Sequence, residues 1–174
     1  PPARARSQRL ATAVLKPVQL LTPRLVLRPA TARDIETLQP SWPDSNLNGW
    51  LARNNDQSAG LWLIALAGSL HDVGCVALRP SVMAAPLCER AGDPIEPLVA
   101  LRPEHRGHGY AQEALKAVLW HAQSASAGRS FVAVCDVPNI AGDRLLRRLG
   151  FAPGYEADAG RWRVRQYRMP SALY

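Results

Sequence analysis

Arg106-Gly107-His108-Gly109-Tyr110-Ala111 is the stretch of this chain best equipped for chemistry. It follows the apolar run Leu98-Val99-Ala100-Leu101, which reads as a short buried strand. It precedes Leu115, Val118, Leu119 and Ala122, spaced i, i+3, i+4 and i+7 as on one face of a helix. A strand that turns through two glycines into a helix leaves backbone N–H groups unpaired and presents the positive end of the helix dipole. That combination is an anion site, most often for phosphate. The glycines suit it because a missing Cβ permits the turn and lets phosphate oxygens approach the main chain. The same residues also fit a plain strand-to-helix turn with no ligand.

Two common phosphate loops fit the residues present badly. A dinucleotide loop requires a third small residue where this chain has Gln112, and an acidic residue about twenty positions on. A triphosphate loop requires Gly-Lys-Ser/Thr, which is absent.

The elements that must hold the loop can be read coarsely along the chain. A strand is expected at 24–29, a helix at about 32–39 and a second helical piece around 45–53. Leu61 to Leu66 turns through Gly68-Ser69 into Val73 to Leu78, a hairpin. A strand at 98–102, a helix at 109–124, a strand at 130–136 and a helix at 140–149 follow, and a closing hairpin turns at Ala159-Gly160. Residues 80–97 interrupt this order with Pro80, Pro86, Pro94 and Pro97, and read as a long substrate-side loop. The expected class is α+β, with helices layered on a largely antiparallel sheet that is parallel where the helix at 109–124 crosses over.

At 174 residues, with 47% hydrophobic and 20% charged content, the chain is expected to form one globular domain over 21–174 after an N-terminal extension at 1–20. Pro1 to Lys16 lacks the uninterrupted apolar core of a secretion signal, and no apolar stretch approaches the ~20 residues of a membrane span. Cys75, Cys88 and Cys135 are odd in number and widely spaced, without metal-binding spacing, so a reduced cytoplasmic setting and no metal are expected. The net charge of +7 is almost wholly arginine, since Lys16 and Lys116 are the only lysines. Such a surface suits anionic partners, or is simply a solvated arginine-rich face. In Arg161-Trp162-Arg163-Val164-Arg165-Gln166-Tyr167 three arginines share one strand face, which would either touch substrate or RNA or keep a late strand soluble.

Arg106, Gly109 and Ala111 stand in the register Arg-x-x-Gly-x-Ala, which resembles the pyrophosphate loop of the GNAT superfamily, the acyl-CoA-dependent N-acyltransferases. Three further matches follow the family's order. Val132 to Asp136 leads through Pro138 to Asn139, which opens a helix carrying Leu145, Leu146 and Leu149 and ending in Gly150-Phe151. Thr22-Pro23-Arg24-Leu25-Val26-Leu27-Arg28-Pro29, followed by Thr31-Ala32-Arg33-Asp34, resembles the first strand and helix start of the branch that acetylates protein N-termini, including those of ribosomal proteins. Pro103-Glu104 is that branch's usual lead-in to the loop. The resemblance covers roughly residues 20–170.

The resemblance implies a three-layer fold, with a mixed, mostly antiparallel sheet of about six to seven strands flanked by about four helices. It implies acetyl-CoA as acyl donor and a primary amine, on a protein N-terminus or a small molecule, as acceptor. Backbone of Val99, Ala100 and Leu101 would pair with the pantetheine arm, and the N–H of Leu101 or a neighbour would serve the oxyanion. Backbone N–H groups from Gly107 to Gln112 (Gly107, His108, Gly109, Tyr110, Ala111 and Gln112), with Arg106 beside them, would hold the pyrophosphate. Asn139 would bond the cofactor arm, a role compatible with a plain helix N-cap. Tyr110 would pack on or cover the pantetheine, and His105 and His108 would touch phosphate or solvent.

For the base, Glu96 stands where this branch often carries a carboxylate acting through water, and Asp136 is the second candidate. Each also reads as an ordinary solvated or turn carboxylate. The usual acids are missing: the family's tyrosine position is Leu146, and the branch's serine position is Gly142. Restoring that serine is expected to leave activity equal or higher. Asp143 beside it would favour the helix dipole. Two further readings follow: a CoA-binding module with weak or no transfer, acting as a sensor or assembly partner, and RNA or ribosome contact through strand 161–168. The family contains both monomers and homodimers.

Overall fold

The computed structural model describes residues 17–31, 33–34, 60–81, 94–125, 130–160 and 162–170. Five strands form an antiparallel sheet in the order β1 (Leu20–Leu21), β2 (Leu25–Pro29), β3 (Leu61–Leu66), β4 (Asp72–Pro80) and β5 (Ile95–Leu101). A 3-10 turn at Pro103–His105 leads to helix α1 (Tyr110–Ala125). Then come β6 (Val132–Asp136), helix α2 (Ile140–Arg148), β7 (Ala152–Ala159) and β8 (Trp162–Arg168). The last three strands form a second antiparallel sheet in the order β6-β8-β7.

The core explains why these runs become strands and helices. β3 is buried on both faces, as its unbroken Leu-Trp-Leu-Ile-Ala-Leu sequence requires. One face holds the main cluster, in which Trp62, Ile64 and Val76 meet Leu115, Val118 and Leu119 of α1. The other face carries Leu61, Leu63, Cys75 and Ala77, packed against Leu98 and Ala100. The buried stripe of α1 is Ala114, Leu115, Val118, Leu119 and Ala122, one turn after another on one side.

Two expectations need correction. The α+β class holds, but the described residues form eight strands in two sheets instead of one mixed sheet of six to seven. The parallel contact is a single bridge, Ile95 to Phe131, with the Ile95 N–H donating to the Ser130 carbonyl (3.0 Å). Parallel pairing cannot run on from there, because the next residue whose N–H would face β6 is Pro97, which has none. The two sheets therefore diverge beyond that bridge.

Second, residues 95–97 do not belong to the proline-rich loop. Ile95 and Glu96 are buried in β5, with Glu96 opposite Arg79 and Ile95 opposite Pro80. Of the helices expected, the described residues contain two long ones, and Arg33 and Asp34 are helical as well. The remainder of the helix expected at 32–39, the piece at 45–53, the N-terminal extension up to Lys16, residues 82–93 and Arg161 lie outside the described residues. The expected hairpins are present at Leu66–Leu70, where the Ser69 and Leu70 N–H groups reach the Leu66 carbonyl, and at Gly160.

Candidate active site

The divergence of β5 from β6 leaves main-chain groups facing a gap. Antiparallel strands alternate residues that bond the neighbour with residues whose N–H and C=O point the other way. The Arg102 N–H donates to the Val73 carbonyl (2.9 Å), and the register pairs Ala100 with Cys75 and Leu101 with Gly74. Ala100 and Leu98 therefore bond β4, while Val99 and Leu101 turn their N–H and C=O toward the gap. The Leu101 carbonyl accepts from Arg106 Nε (3.1 Å), which leaves the Leu101 N–H toward the opening. An extended chain carrying amides, laid in this gap, would meet a half-formed sheet edge.

At the end of the gap lies the loop. Gly107 and Gly109 adopt φ of +79° and +78°, a conformation that favours glycine, and α1 begins at Tyr110. Among the described residues, the N–H groups of Gly107 through Gln112 find no acceptor, and the first helical bond is from the Glu113 N–H to the Gly109 carbonyl (3.1 Å). The loop is pinned from behind. Glu113 accepts from Thr22 Oγ1 (2.6 Å) and from Arg24 N (3.0 Å) and Nε (2.7 Å), and Arg24 Nη1 donates to the His108 carbonyl (2.9 Å). Arg24 also lies over the Tyr110 ring, 4.9 Å from its centre, and that ring stacks with His108. Burial alone would raise the Glu113 pKa, but its bonds from Thr22 and Arg24 outweigh that and hold it below the ordinary range.

α2 closes the other side. Asn139 is its N-cap, its side-chain carbonyl accepting from the Gly142 N–H (2.9 Å). Gly142 has no room for a side chain: a Cβ there would stand 2.5 Å from Cys135 Sγ and 2.9 Å from Asn139 Nδ2. Leu146 is buried in the main cluster. Burial, with Asp136 and Asp143 nearby, pushes the Cys135 thiol up to about 11.

Together these walls enclose an open cleft of about 640 Å³. It is lined by nine residues expected from the sequence: Val99, Ala100, Leu101, Arg106, Gly107, Gly109, Ala111, Gln112 and Asn139. His108 and Tyr110 are not among its lining, and His105 instead faces His71 with ring centres 5.8 Å apart. Sequence reasoning missed Ala141, Arg144, Leu145 and Arg148 as lining residues, and had Gly142 at the site only as the empty serine position. Ala141, Arg144, Leu145 and Arg148 follow the spacing i, i+3, i+4 and i+7, so a helical projection of α2 would have grouped them. Thr22, Arg24 and Glu113 were missed as the anchor, because no local pattern links residues so far apart in sequence.

The two carboxylates considered as bases sit elsewhere. Glu96 is 2% exposed, on the face that Leu98 and Ala100 share, and pairs with Arg79 (3.0 Å). Burial raises its pKa against the opposing pull of Arg79. Asp136 is exposed at the end of β6, where its carbonyl accepts from the Asn139 N–H (2.9 Å). Arg163 and Arg165 of the arginine-rich strand both pair with Glu156, and Arg165 also approaches Asp143 (3.3 Å). Asp143 accepts from the buried Tyr167 hydroxyl (2.5 Å), which lowers its pKa most, with Arg147 next. Among the described residues no group of three or more His, Cys, Asp or Glu could hold a metal ion, and no helix is long and apolar enough to cross a membrane.

Comparison with known proteins agrees with this architecture. An acetyltransferase from Bordetella pertussis assigned to the GnaT family superposes with a TM-score of 0.72 at 20% identity, over 87% of this chain and 99% of its own. The acetyltransferase from Agrobacterium tumefaciens str. C58 gives 0.69 at 20% identity, over 90% and 96%. The RimL ribosomal L7/L12 alpha-N-protein acetyltransferase, solved in complex with coenzyme A, gives 0.63 at 17% identity, over 86% and 95%. None of the curated proteins compared matches the chain. The profile of the family described as Acetyltransferase (GNAT) domain matches residues 24–152, three-quarters of the sequence, and with the splayed strands and glycine loop in place the chain belongs to the GNAT acetyltransferases.

Proposed function

We propose that this protein is an acetyl-CoA-dependent N-acetyltransferase that delivers the acetyl group to a primary amine by direct attack, with a peptide N-terminus as the favoured acceptor. One observation carries the reading: the unpaired N–H groups of Gly107 to Gln112 open onto the same cleft as the outward-facing backbone of Val99 and Leu101. A diphosphate fits the first and an amide-bearing arm fits the second. The site also has room, since nothing lies within 4 Å of where a Gly107 Cβ would be.

Acetyl-CoA supplies an activated thioester. The chain's own groups then do the rest. The loop and strand edge hold the donor, lowering the barrier by fixing its position. The Leu101 N–H, turned toward the gap, would donate to the oxyanion that forms on the acetyl carbonyl. The attacking amine must lose a proton; neither carboxylate lines the cleft, so either would act only through intervening water, with Glu96, whose pKa burial raises, the first candidate and Asp136 the second. The described lining of the cleft contains no hydroxyl, thiol or carboxylate, so the departing thiolate takes its proton from solvent.

The acceptor follows from charge. A SpeG spermidine/spermine N-acetyltransferase from Vibrio cholerae shares the fold at 15% identity, but a net charge of +7 here repels a polycation. A neutral or acidic peptide meets no such barrier, and RimL, which shares the fold, acetylates the protein L7/L12. A thiol-release assay with acetyl-CoA and a panel of peptides and small amines tests the reading, with free CoA appearing fastest for peptides. The second reading, a CoA-binding module without transfer, is favoured by the missing acid; tight acetyl-CoA binding with no CoA release for any amine would establish it.

A further inference from the structure

The glycine loop accounts for one anion, yet the cleft carries more positive charge than that requires. Ala141, Arg144, Leu145 and Arg148 form one stripe of α2, and all four line the cleft. Arg147, the helix's third arginine, turns the other way and pairs with Asp143 (2.9 Å). Arg144 and Arg148 have no carboxylate or carbonyl partner among the described residues, unlike Arg24, Arg79, Arg147, Arg163 and Arg165. Two like charges four residues apart on a helix repel each other unless an anion sits between them. The negative end of the helix dipole explains a cation in the last turn, but not Arg144 in the middle of the helix.

We propose that Arg144 and Arg148 form a clamp for a phosphomonoester, the 3′-phosphate of coenzyme A, distinct from the diphosphate held at α1. The assignment rests on the cofactor reading above. Coenzyme A carries two phosphate-bearing regions, and the main-chain N–H groups of the loop suit the diphosphate, whose charge is spread along a chain. The 3′-phosphate is a compact dianion with three acceptor oxygens. Two guanidinium groups about 6 Å apart at the Cβ level match it, each able to donate two parallel N–H bonds.

The test is calorimetric binding of CoA and of 3′-dephospho-CoA to the wild type, Arg144→Gln, Arg148→Gln and the double variant. The wild type is expected to bind CoA about ten- to a hundredfold tighter than 3′-dephospho-CoA. The double variant is expected to bind both alike, at the affinity the wild type has for the dephospho form. A wild type that does not distinguish the two nucleotides overturns the clamp. So do variants that weaken both nucleotides equally, which would put the arginines on the diphosphate. If the wild type binds neither nucleotide, the cofactor reading itself fails, a result separable from failure of the clamp alone.

Discussion

The Arg24 guanidinium stands 2.6 Å from the Glu113 carboxylate while donating to the His108 carbonyl, so one side chain ties the first long strand to both the loop and the helix behind it. Glu113 lies in the first turn of α1, where a carboxylate is also favoured by the dipole. The pair thus fixes where the unpaired N–H groups point. An anion site made of main chain works only if that main chain is held still before the ligand arrives.

Replacing Arg24 with alanine should therefore act mainly on binding. Arg24 is half exposed, so the ion pair contributes about 1 kcal/mol or less to stability. The loop, however, loses its brace, and CoA affinity is expected to fall about tenfold. Titration calorimetry beside thermal unfolding would separate the two. A large drop in Tm with affinity unchanged would show that the brace serves the fold and not the ligand.

Glu113 carries a pH signature of definite sign. Its folded-state pKa lies below the ordinary 4.5, so its contribution is present above that value and is lost as pH falls through the lower folded value. Glu113→Gln should lower stability at neutral pH and flatten the acid limb of the stability curve. Denaturant midpoints from neutral to acid pH check this, and an acid limb of unchanged steepness would contradict it.

Gly109→Glu places bulk and negative charge where the diphosphate is proposed to lie. At φ of +78° a side chain costs roughly 1–2 kcal/mol, and its Cβ would touch Arg24 Nη2 at 3.4 Å, a contact that can be accommodated. The fold should survive while CoA binding is lost. Undiminished affinity by calorimetry would remove the loop from the site.

The loop was legible in the sequence because every part of it is local: a buried strand, two glycines and an apolar helix face within a few dozen residues. Asn139 was legible for the same reason, as a cap ahead of a patterned helix. The divergence of the sheets was carried by Pro97, but its meaning depends on which way residue 97 faces. Only the register against β4 settles that. The Arg24–Glu113 brace and the Arg79–Glu96 pair join distant segments, and periodicity carries no such information. Arg144 and Arg148 could have been found on a helical projection, and were obscured by the general abundance of arginine.

Gly142 illustrates how a local analogy meets packing. A serine there was expected to help by restoring a proton donor. In the structure its Cβ would fall 2.5 Å from Cys135 Sγ, closer than atoms tolerate. Gly142→Ser alone should destabilise the fold by about 1–3 kcal/mol, the range for overpacking a filled site. Adding Cys135→Ala should recover most of that loss, because the two residues share one volume. A double-mutant cycle by chemical denaturation measures the coupling, and simple additivity would show that they do not compete for space.

Glu96 offers the opposite pH sign from Glu113. Its pKa is raised by burial, so it stabilises the fold while protonated, and that contribution is lost as pH rises through the raised folded value. Glu96→Gln mimics the neutral form but deprives Arg79 of a charged partner, and breaking a pair this buried is expected to cost about 3 kcal/mol. If Glu96 is also the proposed base, kcat should fall at least about a hundredfold while acetyl-CoA affinity holds, since general bases contribute about that much. The acid limb of kcat/KM should vanish in the variant, which a structural role would not produce. Retention of that limb would transfer the role to Asp136, exposed at the end of β6.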